Sequence, residues 1–211
     1  MEVGDGHALG FEKLRETLDW CLDLGVETVT VYAFSIENFK RSQEEVDTLM
    51  DLAKIKFTQL FQKGDLIQKH GICVRILGDI ALLPEDLQRV IARMVNVSKH
   101  NTKAVLNVAF PYTSRHEVVD AVKVIADGVQ QGKLQQQDIS EDLIDRCMYT
   151  GDDLIPDMMV RTSGEVRLSD FLLWQSGYVV ACSTRAAPHG PLHVACSTRV
   201  GSRIFCCFFY Y

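Results

Sequence analysis

Short polar clusters carry the side chains that could do chemistry in this sequence. Ser35-Ile36-Glu37-Asn38-Phe39-Lys40-Arg41 gathers a hydroxyl, a carboxylate, an amide and two cations. Gly78-Asp79 is a second cluster, and Tyr112-Thr113-Ser114-Arg115-His116-Glu117 a third. The fourth is Arg161-Thr162-Ser163-Gly164-Glu165-Val166-Arg167-Leu168-Ser169. Arginine presents a planar fork of donors that matches phosphate oxygens. Arg41, Arg161 and Arg167, with hydroxyls beside them, therefore suit a phosphorylated ligand. Any one cluster alone also reads as a solvated loop with cap residues. His7, His70, His100 and His116 lack metal-ligand spacing with cysteine or carboxylate. No nucleic-acid-binding motif is present.

The elements between the clusters decide whether they meet. Phe11, Leu14, Leu18, Cys21 and Leu22 mark one face of a helix that stops before Gly25. Residues 26–34 are β-branched and aromatic and predict a strand. A long helical pattern over 44–69 turns Val46, Leu49, Met50, Ala53, Phe57, Leu60 and Phe61 inward, and Gly71 ends it. Residues 72–77 predict a second strand. Pro84 suits the first turn of a helix carrying Leu87, Ile91 and Met94. Residues 104–110 predict a third strand, 114–131 a helix, and 140–147 a shorter helix with Ser140 as N-cap. Residues 158–161 close a fourth strand. Apolar strands alternating with amphipathic helices give an α/β fold, a parallel sheet with helices on both faces. Each polar cluster follows a strand. In open parallel sheets ligands bind beyond the carboxyl ends of the strands, so the clusters share one rim, with helix N-termini behind them adding N–H donors.

Composition sets outer limits. The 211 residues are 47% hydrophobic and 24% charged, which fits one globular domain. Twenty-eight acids against 22 bases give a net charge of −6 and argue against non-specific nucleic-acid binding. No apolar run is long enough to span a membrane, and no secretory signal layout opens the chain. The averages hide a break. No acid follows Asp170 and no lysine follows Lys133. Val-Ala-Cys-Ser-Thr-Arg occurs at 180–185 and again at 194–199, and the chain ends on Ile204-Phe205-Cys206-Cys207-Phe208-Phe209-Tyr210-Tyr211. The expectation is a domain over 1–176 and a divergent, poorly ordered tail over 177–211. An acylated tail using Cys206 and Cys207 is the functional alternative. Cys21, Cys73 and Cys147 sit in apolar patterns that suit ordinary packing in a reducing compartment.

Two segments carry a resemblance to a known family. Tyr32-Ala33-Phe34-Ser35-Ile36-Glu37-Asn38-Phe39-Lys40-Arg41-Ser42 and the run from Arg161 to Gln175 are similar to signature segments of the cis-prenyltransferases, in particular their eukaryotic dolichol-pathway branch. Residues 112–117 resemble a third family segment, and Gly6-His7 the end of a fourth. The similarity covers residues 6–176. It implies an undecaprenyl diphosphate synthase-like fold and transfer of isopentenyl diphosphate onto an allylic, farnesyl-type diphosphate. The product would be a polyprenyl diphosphate for dolichol synthesis and protein glycosylation. By resemblance, Arg161, Arg167 and Ser169 hold the isopentenyl diphosphate, and Arg41 serves the same pocket. Asn38 sits beside the reacting carbons. Ser35 and Glu37 shape the substrate loop, Glu45 supports it, and His7 contacts the allylic diphosphate. Phe57, Leu60 and Phe61 read as a tunnel wall or, equally, as ordinary core.

The resemblance further implies Mg²⁺, a Nogo-B-receptor-like second subunit or a homodimer, and peripheral association with the cytosolic face of the endoplasmic reticulum membrane. The departures concern the metal. The family's Asp-Gly-Asn-Arg-type loop has no counterpart around Met1-Glu2-Val3-Gly4-Asp5, and Val3 stands where the family has arginine. No acid follows Tyr178-Val179-Val180, where the family has a second carboxylate. The expectation is therefore no metal ligand in this chain, an incomplete sheet with open strand edges, and a catalytically inactive isopentenyl-diphosphate- or subunit-binding module as the alternative function.

Overall fold

The computed structural model describes residues 3–60, 66–151, 155–161, 167–178, 181–183 and 203–207. Helix α1 spans Val3–Asp23, and β1 follows at Thr28–Tyr32. A 3₁₀ turn at Ile36–Lys40 leads into α2, Gln43–Leu60, and α3, Leu66–His70. Then come β2 at Ile72–Leu77, α4 at Glu85–Ser98 and β3 at Ala104–Ala109. Helices α5, Ser114–Gln130, and α6, Glu141–Cys147, precede β4 at Met158–Arg161. Two short strands follow, β5 at Ala181–Ser183 and β6 at Arg203–Cys207.

The strands form one sheet in the order β2-β3-β1-β6-β4-β5, with every neighbouring pair parallel. Parallel strands need crossovers, and the intervening helices supply them. Side chains alternate across the sheet by the two-residue period of a strand. Val29, Val31, Leu106, Val108, Ile72 and Val74 face one way, into a core closed by Leu14 and Leu18 of α1, Val46, Met50 and Phe57 of α2, and Leu87, Ile91 and Met94 of α4. Tyr32, Leu77, Ala109 and Met159 face the other way and pack with Tyr112, Phe171 and Leu172. The α4 residues recur at helical spacing, and each fully buried side chain stabilises by about 1.5–3 kcal/mol. Ser98 closes α4 against the sheet: its hydroxyl donates to the Met94 carbonyl and accepts from the Val74 N–H at 3.1 Å. Thr113 and Ser140 cap α5 and α6 through their side-chain oxygens.

The structure refines the sequence reading in three places. The single helix expected over 44–69 is described as α2 and α3, and Phe61 lies outside the described residues. Pro84 is the N-cap of α4 rather than its first turn. The segment set apart as a divergent tail contains β5 and β6. Against the expectation of open strand edges, β1 is paired on both sides: Thr28–Tyr32 aligns with Val105–Ala109 on one side, and Thr28–Val31 with Arg203–Cys206 on the other. A buried backbone edge costs too much to leave unpaired, and residues 203–207 supply the ladder partners between β1 and β4.

Gly78 permits the turn after β2. Its φ is +144°, and a Cβ built there would lie 2.0 Å from the Pro111 carbonyl oxygen. That contact is backbone and has no rotamer to escape by. Gly78→Ala is expected to cost at least about 3 kcal/mol, read as a clear fall in melting temperature. A variant melting like the parent would show that the turn opens freely.

Candidate functional site

Because the sheet is parallel, the segments after β1, β2, β3 and β4 leave from the same edge. They touch one another there. The Tyr32 hydroxyl donates to the carbonyl of Tyr112 at 3.0 Å and to that of Ser169 at 3.4 Å. Ser35 bridges Tyr112, and the Ile36 N–H donates to the Tyr112 carbonyl. The Asp79 N–H donates to the Pro111 carbonyl.

The segment after β1 is fixed by a capping box. The Ser35 hydroxyl accepts from the Glu37 N–H, while the Asn38 side-chain oxygen accepts from the Ser35 N–H at 2.9 Å. This turns the half-buried Asn38 toward the sheet and spends its oxygen locally, so its amide N–H₂ is the group available to a ligand. Glu37 is exposed and paired with Lys40, whose hydrogen bond holds its carboxyl below the usual range. Glu45 is exposed too, and its carboxylate accepts from the Ser42 hydroxyl at 3.2 Å at the start of α2. It acts on the helix entry and does not line the cavity described below. His7 falls within α1, with its side chain outside the described ones.

The segment after β4 starts with Arg161, which is 8% exposed. Its Nη1 donates to the Ser169 hydroxyl at 3.1 Å. Arg167 and Ser169 are exposed on the same loop. The loop is unusual in its backbone: Ser169, Asp170 and Leu172 have φ of 51°, 59° and 46°. Such conformations are costly for non-glycine residues and persist where neighbours over-determine them. Here the Ser114 N–H donates to the Asp170 carbonyl at 2.7 Å, and the Leu173 N–H to the Ser114 hydroxyl at 3.0 Å. Arg115 clasps the Asp170 carboxylate at 2.7 Å through Nε, and Phe171 stacks on Tyr32 with centroids 4.7 Å apart.

Beside this rim lies an apolar cavity of about 120 Å³. Val31, Ala33, Leu106 and Val108 form its sheet wall, and Leu14, Leu18, Leu49, Leu52, Phe57 and Leu60 its helical wall. Asn38 and Arg41 line it as well, so the polar loop and the apolar space are one site. Arg15 and Lys56 are its other charged lining residues. The arrangement suits an amphipathic ligand with an anionic head and a hydrocarbon body. Of the wall expected from sequence, Phe57 and Leu60 line the cavity. Among the described residues, no group of three or more His, Cys, Asp or Glu side chains is placed to hold a metal ion.

Sequence reasoning did not assign the polar residues that hold the rim together. Glu117 is fully buried, and its carboxylate accepts from the Tyr112 hydroxyl at 2.5 Å, the Tyr149 N–H at 2.8 Å and the Gln175 amide at 3.0 Å. Burial pushes its carboxyl above the usual range, and burial beside Glu117 pushes the Tyr112 phenol up as well. A carboxylate one turn into an apolar-faced helix was the available signal. Nothing local in the sequence reveals that Gln175 meets it.

Residues 1–187 match a family described as "Putative undecaprenyl diphosphate synthase". The human dehydrodolichyl diphosphate synthase complex subunit is 58% identical over 178 residues, covering 84% of this chain and 54% of that protein. A Schizosaccharomyces pombe subunit of the same description is 48% identical, covering 83% of this chain and 66% of that one. The chain thus spans about half the length of its human relative. The crystal structure of lavandulyl diphosphate synthase from Lavandula x intermedia, in complex with dimethylallyl diphosphate, superposes with a TM-score of 0.77 at 30% identity. That similarity covers 85% of this chain and 77% of the lavender enzyme.

Proposed function

Because the chain belongs to the cis-prenyltransferase family, we propose that it joins isopentenyl diphosphate to an allylic, farnesyl-type diphosphate, lengthening a polyprenyl diphosphate with each new double bond cis. The observation that carries this reading is the apolar cavity sharing Asn38 and Arg41 with the polar rim. Arg161, Arg167 and Ser169 hold the diphosphate of isopentenyl diphosphate, with Arg41 at the same pocket. Asn38 offers its amide N–H₂ beside the reacting carbons, on a turn shaped by Ser35 and Glu37 and steadied by Glu45. His7 meets the allylic diphosphate. In the reaction the allylic C–O bond breaks and its diphosphate leaves with the bonding pair. The alkene of isopentenyl diphosphate forms the new C–C bond, and a proton is lost from the carbon beside the resulting cation. The growing hydrocarbon enters the cavity along α2.

Magnesium, when bound in such enzymes, offsets charge on the departing diphosphate. The described residues present no ligand set for it. Val3, standing where the family has arginine, supports a second reading, in which the chain binds isopentenyl diphosphate or a sister subunit without turnover. The prenyl-transfer unit is assigned to residues 1–176, with β5 and β6 of the segment 177–211 completing its sheet. Relatives named as complex subunits support a second chain, here a Nogo-B-receptor-like subunit or another copy. A dolichol-directed product would serve protein glycosylation at the endoplasmic reticulum. No described helix is long and apolar enough to cross a membrane, and the product's hydrocarbon suits peripheral association.

The test is incorporation of labelled isopentenyl diphosphate into farnesyl diphosphate with Mg²⁺, with and without the second subunit. Butanol-extractable, metal-dependent product is expected. Its absence in both conditions, from chain that melts cooperatively, would leave the binding reading in its place.

A further inference from the structure

We propose that Glu117 is the positioning residue for the diphosphate loop, acting on Arg161 and Ser169 from beneath the rim without touching substrate. This rests on the reading of that loop as the isopentenyl diphosphate site.

Glu117 lies on α5, faces away from the apolar cavity, and has no exposed surface. Its carboxylate is met only by donors, and these come from three separate segments. Tyr112 belongs to the strand-end turn before α5, Tyr149 to the turn after α6, and Gln175 to the far end of the diphosphate loop. Gln175 is 2% exposed and also donates to the Thr150 hydroxyl at 3.3 Å. One buried carboxyl group therefore ties the start and the end of the rim to the helix behind it.

The loop between needs such a tie. Three of its non-glycine residues sit at positive φ, a conformation that relaxes unless surrounding contacts hold it. Tyr112 carries the force from Glu117 to the loop. Its hydroxyl is on Glu117, its carbonyl accepts from Tyr32, and its ring meets Phe171 edge-on with centroids 6.0 Å apart. Tyr32 in turn reaches the carbonyl of Ser169, the residue whose hydroxyl is the partner of Arg161. An amide in place of the carboxylate leaves one oxygen for the three donors and sets its N–H₂ against either the Tyr149 N–H or the Tyr112 and Gln175 donors. The loop then slackens and Ser169 drifts from Arg161. The apolar cavity, on the opposite face of the sheet, keeps its walls.

The substitution Glu117→Gln tests this, with Tyr112→Phe as a milder change that removes one donor and leaves the carboxylate in place. Two readouts are taken below the melting transition. The first needs no ligand: hydrogen exchange of the loop amides, Phe171 and Leu173 among them, is expected to accelerate at least tenfold in Glu117→Gln. Exchange in α4 and β2 should stay as in the parent. The second is binding: affinity for isopentenyl diphosphate is expected to fall at least tenfold, while affinity for a farnesyl thiodiphosphate analogue changes less than twofold. Tyr112→Phe should move both readouts in the same direction by a smaller factor. Unchanged loop exchange would overturn the proposal. So would equal weakening of both ligands, the mark of a merely structural role. If the parent itself binds no isopentenyl diphosphate while the loop exchange still accelerates, Glu117 does hold the loop and the functional reading of the loop is what fails.

Discussion

A chain ended after residue 202 is expected to lose its cooperative thermal transition. The reason lies in the sheet. β6 is the strand between β1 and β4, paired with Thr28–Val31 on one side and with Met158–Arg161 on the other. Among the described residues β1 and β4 meet no other way within the sheet. Removing residues 203–207 opens two inward-facing strand edges at once. Each buried backbone group left without a partner costs about 1–3 kcal/mol, against a total stability of about 5–15 kcal/mol for a domain. A handful of such groups exceeds what the fold has in hand. The consequence extends to function, because β1 carries the Asn38–Arg41 turn and β4 carries Arg161. Without β6 the two halves of the rim have no common sheet. Phe205→Pro makes the same point within the full chain, since proline removes a ladder donor from an interior strand. Scanning calorimetry of the parent, the shortened chain and Phe205→Pro decides it. Identical transitions in all three would mean that the sheet closes without β6.

The second large effect is expected from Arg161→Ala. Arg161 is the arginine of the rim that is nearly buried, at the end of a strand, with its guanidinium oriented by Ser169. A charge-assisted hydrogen bond to a diphosphate in such a setting contributes about 1.5–3 kcal/mol. Isopentenyl diphosphate affinity should therefore fall about ten- to a hundredfold, since about 1.4 kcal/mol corresponds to a factor of ten. Arg161→Lys should recover only part of it, because an ammonium cannot reproduce the planar fork. Arg89 supplies the control. It sits on α4 in an exposed pair with Glu85, and Arg89→Ala should leave binding unchanged. Equal affinities for parent and Arg161→Ala would remove Arg161 from the site.

Much of this architecture is legible in the amino-acid sequence. The run at 72–77 matches β2 residue for residue, and the fourth strand ends at Arg161 as read, because short, mainly apolar segments bounded by turn residues leave little choice. The polar clusters are legible as a rim because parallel topology sends every strand's carboxyl end to the same edge. Contacts between distant positions are not. Tyr32 and Ser169 are 137 residues apart and Glu117 and Gln175 are 58 apart, so no local pattern announces them. The same holds for Arg115 and Asp170, whose pairing bends the loop. β6 is illegible for a different reason. Ile204-Phe205-Cys206-Cys207 has no amphipathic period, and a strand paired on both edges inside a parallel sheet needs none. Of the cavity only part of the helical wall, Phe57 and Leu60, is anticipated from the chain; its sheet wall and its volume depend on how closely Leu106 and Val108 approach that helix.

The central claim is that the strand-end rim binds a diphosphate whose hydrocarbon enters the adjoining cavity. Titration calorimetry of the parent chain with isopentenyl diphosphate, repeated in the presence of inorganic pyrophosphate, tests it most directly. Saturable binding at one site per chain is expected, weakened by pyrophosphate as a competitor for the same arginines. No saturable heat from a preparation with an intact cooperative transition would contradict it.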